Sequence, residues 1–228
     1  MGLTLIDKNA DFSAISVGSL FAKTSVVSGL LALFETRRDA ALAVANRGSG
    51  TDGTIFGAPT FAVANMTADE TRGVNFGIAP TGNHTVAAVF KIRPGAITES
   101  YPVGAFGGTG YEFFNMGNST VYFLSSVGPN AALPKPATAT FEMYVATAEN
   151  NVAAKLRHPR TASLATVATA NAFTYEAPAN YSASLIGASS ADDDFALFAY
   201  WDRVLSLAEI TTFYTEIKAH LAKLGVVI

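Results

Sequence analysis

Phe195-Ala-Leu-Phe-Ala-Tyr-Trp201-Asp-Arg-Val-Leu-Ser-Leu-Ala-Glu-Ile210 carries the two local signals that decide the fold. Its first half sets Phe195, Leu197, Ala199 and Trp201 against Ala196, Phe198 and Tyr200, the period-two pattern of a strand. Its second half changes period. Ser206 and Glu209 have the spacing of a capping box, in which side chain and backbone satisfy each other's orphan groups at a helix start. Ile210, Phe213, Tyr214, Ile217, Leu221 and Leu224 then form an apolar stripe, and Gly225 is placed to end the helix.

Upstream, the same period two recurs. In His84–Arg93, Val86, Ala88, Phe90 and Ile92 alternate with Ala87, Val89 and Lys91; in 140–146, Phe141, Met143 and Val145 alternate with Glu142 and Tyr144. Shorter apolar runs lie at 60–64, 73–77, 111–114, 120–124, 151–157 and 182–186, separated by turn sequences rich in glycine, proline and asparagine. Many short strands with dense turns predict an all-β antiparallel sandwich. Residues 30–46 read equally as a helix or as a strand followed by a loop, and 129–140 as a long loop. The predicted organisation is an N-terminal anchoring arm over 1–22, a jelly-roll sandwich over 23–205, and a C-terminal helix and tail over 206–228 that packs on the sandwich or on a neighbouring subunit.

Composition narrows the function. The 228 residues are 50% hydrophobic and 14% charged, which excludes a disordered chain. Low charge on so apolar a chain means either a larger core or a surface covered by partners. A net charge of −3 without a basic cluster argues against nucleic acid. Cysteine is absent, which excludes disulfides, thiolate metal sites and cysteine nucleophiles. Neither a signal peptide nor a membrane span is visible, so synthesis in a cytoplasm without export is expected.

Few motifs carry chemistry. Gly48-Ser-Gly50-Thr-Asp-Gly53 matches a dinucleotide fingerprint, but Pro59 and the lack of a following helical stripe make it a turn. Asp192, Asp193 and Asp194 are weak calcium candidates; neighbouring strand residues point to opposite faces, so a solvated turn is the preferred reading. His84, His158 and His220 are far apart and lack metal-ligand spacing. No nucleophile elbow or compact carboxylate pair appears, so the expectation is a protein that is not an enzyme and needs no cofactor. Tyr101, Phe106 and Tyr111 flank a glycine-rich stretch and could stack on a sugar, although filling a core or an interface accounts for them equally.

The segment from Phe195 to Tyr214 resembles the closing signature of laminin-G-like, concanavalin A-like jelly rolls, with Asp202, Arg203, Leu205, Ser206, Glu209 and Ile210 fitting position by position. Leu30–Phe34, 48–61, 84–94, 141–157 and the Ser184-Leu-Ile-Gly-Ala188 segment fit the upstream order, so the resemblance covers about residues 29–217. Asp11-Phe-Ser-Ala14 followed by Ile15-Ser-Val-Gly18 resembles the start of tailed-bacteriophage structural proteins with such a domain. The resemblance implies a virion protein, in capsid decoration or in a tail, assembled as a homo-oligomer. Phe12, Ile15, Val17, Leu20, Phe21, Leu221 and Leu224 would then bind neighbouring virion subunits. The same fold hosts lectins and glycosidases, so a carbohydrate-binding module for host recognition is the alternative and a glycoside hydrolase or lyase the second. The chain departs from calcium-dependent lectin-type members in lacking their acidic ligands, Asp192–Asp194 apart.

Overall fold

The structure, a computed structural model, describes residues 21–93, 100–107, 110–126, 128–173, 175, 180–183 and 192–228. Within them the chain forms strands β1 (Leu30–Glu35), β2 (Thr54–Phe56), β3 (Thr60–Phe61), β4 (Met66–Ala68), β5 (Gly73–Asn75), β6 (His84–Lys91), β7 (Ser100–Gly107) and β8 (Gly110–Met116). It continues with β9 (Thr120–Ser125), β10 (Ala131–Pro134), β11 (Phe141–Glu149), β12 (Ala153–His158), β13 (Ser163–Ala168), β14 (Ser182–Ala183) and β15 (Asp193–Trp201). Two helices, α1 (Ala40–Val44) and α2 (Leu207–Ala222), complete the elements with a 3-10 turn at Pro159–Thr161.

Two antiparallel sheets lie face to face in a jelly-roll β-sandwich. The first runs β13-β12-β11-β6-β15, after which β4 and β1 share the free edge of β15 and β3 follows β4. The second runs β10-β9-β8-β7-β14-β5-β2. Between them lies an aromatic core in which Phe76 stacks on Phe198, with centroids 4.2 Å apart, and Phe90 meets Phe114.

The first sheet has a second core on its outer face. Ala87, Val89, Met143, Val145, Leu197 and Ala199 point away from the sandwich interior and are covered by α2 and by the segment from Ala22 to Leu30. This explains a departure from simple alternation: β6 and β15 are buried on nearly every residue, because both faces of their sheet are apolar contacts. It also revises the reading of the Phe195–Trp201 strand. A bulge opposite β6 between Phe195 and Leu197 puts Phe195 on the inner face with Phe198 and Tyr200, not with Leu197 and Trp201.

The junction from β15 into α2 shows what the closing signature does. Ser206 and Glu209 form the full capping box, and Arg203 holds Glu209 with two hydrogen bonds of 2.6 and 3.2 Å. Arg203 Nε also donates to Ser28 O, and Gly29, at φ +72°, approaches the Asp202 carboxylate so closely that a Cβ there would sit 2.4 Å from it. Trp201 donates to Val26 O at 2.9 Å and meets Phe213 edge-on at 4.8 Å.

Elsewhere the outcome is mixed. Residues 30–46 resolve into strand, loop and one helical turn, capped by Asp39. Residues 129–140 are not wholly a loop, since β10 pairs with β9 along that edge; β13 was not foreseen. Gly48 and Gly50 press against the backbone of Leu31 and lead into β2, so this glycine run is a packed turn. The segment 184–188 lies outside the described residues.

Phe213→Ala should cost about 3–5 kcal/mol by emptying the outer core. Urea denaturation should show a lower midpoint; a midpoint unchanged from the parent would mean that α2 is not part of the cooperative unit.

Candidate functional site

Period two in β8 sorts two chemistries onto opposite faces. Tyr111 and Phe113 point outward, while Glu112, Phe114 and Met116 point into the sandwich. On the outer face the Tyr111 and Phe113 rings lie 5.3 Å apart at 30°, and Tyr101 from β7 meets Phe113 edge-on at 5.0 Å. Register places Gly104 opposite Phe113, and Leu124 of β9 on its other side. Tyr101 and Phe113 are half-buried, and Tyr111 is 36% exposed. Two of the sugar-binding candidates, Tyr101 and Tyr111, therefore share one aromatic row, joined by Phe113, which the sequence reading passed over. The backbone of Phe106 pairs with Tyr111; its side chain lies outside the described residues.

On the inner face Glu112 is completely buried and anchors a polar cluster. His84 Nε2 lies 2.7 Å from Glu112 Oε1, and the hydroxyls of Tyr175 and Tyr181 both donate to the same carboxylate. His84 Nδ1 faces only acceptors, Thr81 O at 2.7 Å and Gly82 O at 3.1 Å, so it carries a proton. Desolvation works against a charged ring. The Glu112 carboxylate and the two carbonyls outweigh it and hold His84 above its ordinary value of 6.5. The pair joins β6 of one sheet to β8 of the other.

The other two histidines repeat the arrangement. His158 Nε2 lies 2.9 Å from Glu142, which also takes hydrogen bonds from Arg160 and Thr140. His220 Nε2 of α2 lies 2.6 Å from Glu35 of β1, whose carboxylate also accepts the Ala22 N–H at 2.7 Å. Burial pushes both glutamates up, but hydrogen bonds and nearby positive charge prevail, and both end below their ordinary value of 4.5. Each histidine thus meets a buried glutamate far away in sequence. The lone charge inside an apolar run, as in Tyr111-Glu-Phe-Phe114, was the one available signal.

The three aspartates do not converge. Asp192 pairs with Arg72 at 2.8 Å, and Asp194 with Lys91, Thr67 and Asn65. Asp193 is no part of a solvated turn: it starts β15, is 1% exposed, and takes a 2.6 Å hydrogen bond from Ser100. Burial pushes its carboxyl up to about 6. Among the described residues no three His, Asp or Glu side chains are placed to hold a metal ion.

Phe12, Ile15, Val17 and Leu20 lie outside the described residues. Phe21 is half-buried, with the Arg47 guanidinium 4.1 Å over its ring. Leu221 is fully buried against this chain's own outer core and Leu224 half-buried against it, so the packing of both is accounted for within the chain.

No protein-family model and no curated protein matches the sequence. Solved structures do match in fold. The receptor-binding domain of botulinum neurotoxin D superposes with a TM-score of 0.64 at 11% identity, over 84% of this chain and 53% of that one. Botulinum neurotoxin type C, whose cell entry is described as dependent upon interaction with two ganglioside molecules, gives 0.63 at 9%, over 82% and 51%. A mutant Trypanosoma rangeli sialidase displaying trans-sialidase activity gives 0.60 at 12%, over 85% and 33%. The chain spans about half of each neurotoxin domain and a third of the sialidase. At these identities the likeness defines a class by fold, the β-sandwich.

Glu112→Ala leaves the buried His84 ring and two tyrosine hydroxyls without their acceptor, and should destabilise the fold by about 3–5 kcal/mol in urea. The pH dependence has two limbs. His84, raised, contributes stability that is complete below 6.5 and lost as pH rises through its folded value. Asp193 acts in the same direction, losing its contribution as pH rises from 3.8 through about 6. Glu35 and Glu142, lowered, contribute above 4.5 and lose it as pH falls through their folded values. Denaturation midpoints against pH should therefore fall on both sides of a maximum, and His84→Gln should flatten the alkaline limb. An unchanged alkaline limb would sink the assignment to His84.

Proposed function

We propose that this chain is a non-catalytic binding and assembly domain, a virion structural component that holds neighbouring subunits through its N-terminal arm. The observation that carries this is the closure of both cores by residues from Ala22 onward, where the Ala22 side chain is buried and its N–H is tied to Glu35. Described residues alone supply both cores, and we assign Phe12, Ile15, Val17 and Leu20 of the arm to a partner, against which they would leave water. At about 25 cal/mol per Å² of apolar surface, a few such side chains supply several kcal/mol before ordering costs. Repetition over symmetry-related copies multiplies the effect through effective concentration. The virion setting rests on the likeness of residues 11–18 to the start of tailed-bacteriophage structural proteins that carry a laminin-G-like domain, whose closing signature residues 195–214 resemble. The non-catalytic reading is supported by the fate of the acids and bases: each histidine and each glutamate beside it is engaged in a buried structural pair.

A second reading, a glycan-binding surface, is favoured by the outward row of Tyr101, Tyr111 and Phe113, since flat aromatic faces stack on sugar rings. Structural neighbours described as interacting with gangliosides or as a sialidase displaying trans-sialidase activity are in keeping with it.

The first reading predicts that deletion of residues 1–20 leaves the melting temperature nearly unchanged and converts a defined oligomer to a monomer by light scattering. An identical mass with and without the arm would overturn it. The second predicts binding on a glycan array that Tyr111→Ala abolishes; an array without signal removes it.

A further inference from the structure

A pocket lies between β12, the 3-10 turn and the first turns of α2. Its volume is about 150 Å³, and Arg157, Ser163, Leu207, Ile210, Thr211 and Tyr214 line it. The register of β12 explains the arginine. Arg157 stands between Val145 of β11 and Leu164 of β13, and Val145 belongs to the outer core under α2. The side chain therefore rises from the face that the helix covers and is half-buried there. Among the described residues it has no hydrogen-bond or ion-pair partner.

The neighbouring charges among the described residues do not neutralise it. Glu142, one strand away, points to the inner face and is taken by His158 and Arg160. Lys218, outside the pocket, lies 5.5 Å over the ring of Tyr214 and brings no negative charge. No carboxylate lines the pocket. A half-buried guanidinium without a counter-ion is costly, and its planar fork fits a carboxylate with two parallel hydrogen bonds. Leu207, exposed to 60%, Ile210 and the Tyr214 ring give the pocket an apolar side, with His158, Ser163 and Thr211 as its other polar lining residues. A cavity of about 150 Å³ is large enough for a six-membered ring.

We propose that this pocket binds a small organic carboxylate, its acid group on Arg157 and a ring-sized body against Ile210, Leu207 and Tyr214. Ser163 and Thr211 offer hydroxyls at the rim for the ligand's polar substituents. The site shares no residue with the aromatic row of the second sheet, and the proposal does not depend on either role.

The test uses the full chain with benzoate as probe and benzamide as its neutral counterpart, followed by isothermal titration. Benzoate should bind and benzamide should not. Arg157→Gln should weaken benzoate at least about tenfold, the effect of a lost charge-assisted contact. Arg157→Lys, which keeps the charge and loses the fork, should fall between. Lys223→Gln, which removes a cation at the far end of α2, should leave affinity unchanged. Thermal melts of each variant establish that it is folded. Benzoate and benzamide binding alike, an Arg157→Gln affinity equal to the parent's, or no heat with benzoate at all would each overturn the proposal.

Discussion

The structure depends on a sheet that is apolar on both faces. Strands β6 and β15 send Phe90, Phe195, Phe198 and Tyr200 into the sandwich and Ala87, Val89, Leu197 and Trp201 out of it. A sheet of this kind in an antiparallel sandwich needs a cover on its outer side as well as a partner sheet. The chain supplies that cover itself, from α2 and from the segment beginning at Ala22. The Ser206–Glu209 capping box and the Arg203 fork fix where the helix starts, and Trp201 ties the incoming segment to the last strand. Burial supplies the energy, and these few polar contacts fix the geometry.

The buried histidine–glutamate pairs act at the joints of this arrangement. His84–Glu112 links the two sheets, His220–Glu35 links the helix to β1, and His158–Glu142 holds the 3-10 turn region to β11. Such pairs contribute little net stability compared with a hydrophobic substitute, but breaking one member is expensive. Their effect is to specify which elements meet. With the histidines and their glutamates placed in these joints, the aromatic row and the Arg157 pocket lie on the outer surface.

Local signals in the sequence were read well and long-range ones poorly. The capping box, the stripe of Ile210, Phe213 and Ile217, and the inward set Val86, Ala88 and Phe90 follow from spacing alone. The bulge at Ala196 was hidden because the residues on both faces of β15 are apolar, so no polar residue marks the change of phase. Short strands such as β10 and β13 escaped because edge pairing depends on a neighbour and not on an apolar run. For the site, Tyr101 and Tyr111 were legible as aromatics near glycine, but Phe113 joins them only through strand register. The histidine partners lie from 16 to 185 positions away, a separation that no local pattern encodes.

Hydrogen exchange followed by mass spectrometry on the whole chain tests most directly whether the helical cover is integral to the sandwich. The account predicts that backbone amides of α2 between Ile210 and Leu221 exchange as slowly as those of β6 and β15 and through the same opening. Exchange in α2 that is much faster than in those strands would contradict it, because the outer face of the first sheet would then open on its own and be available to partners.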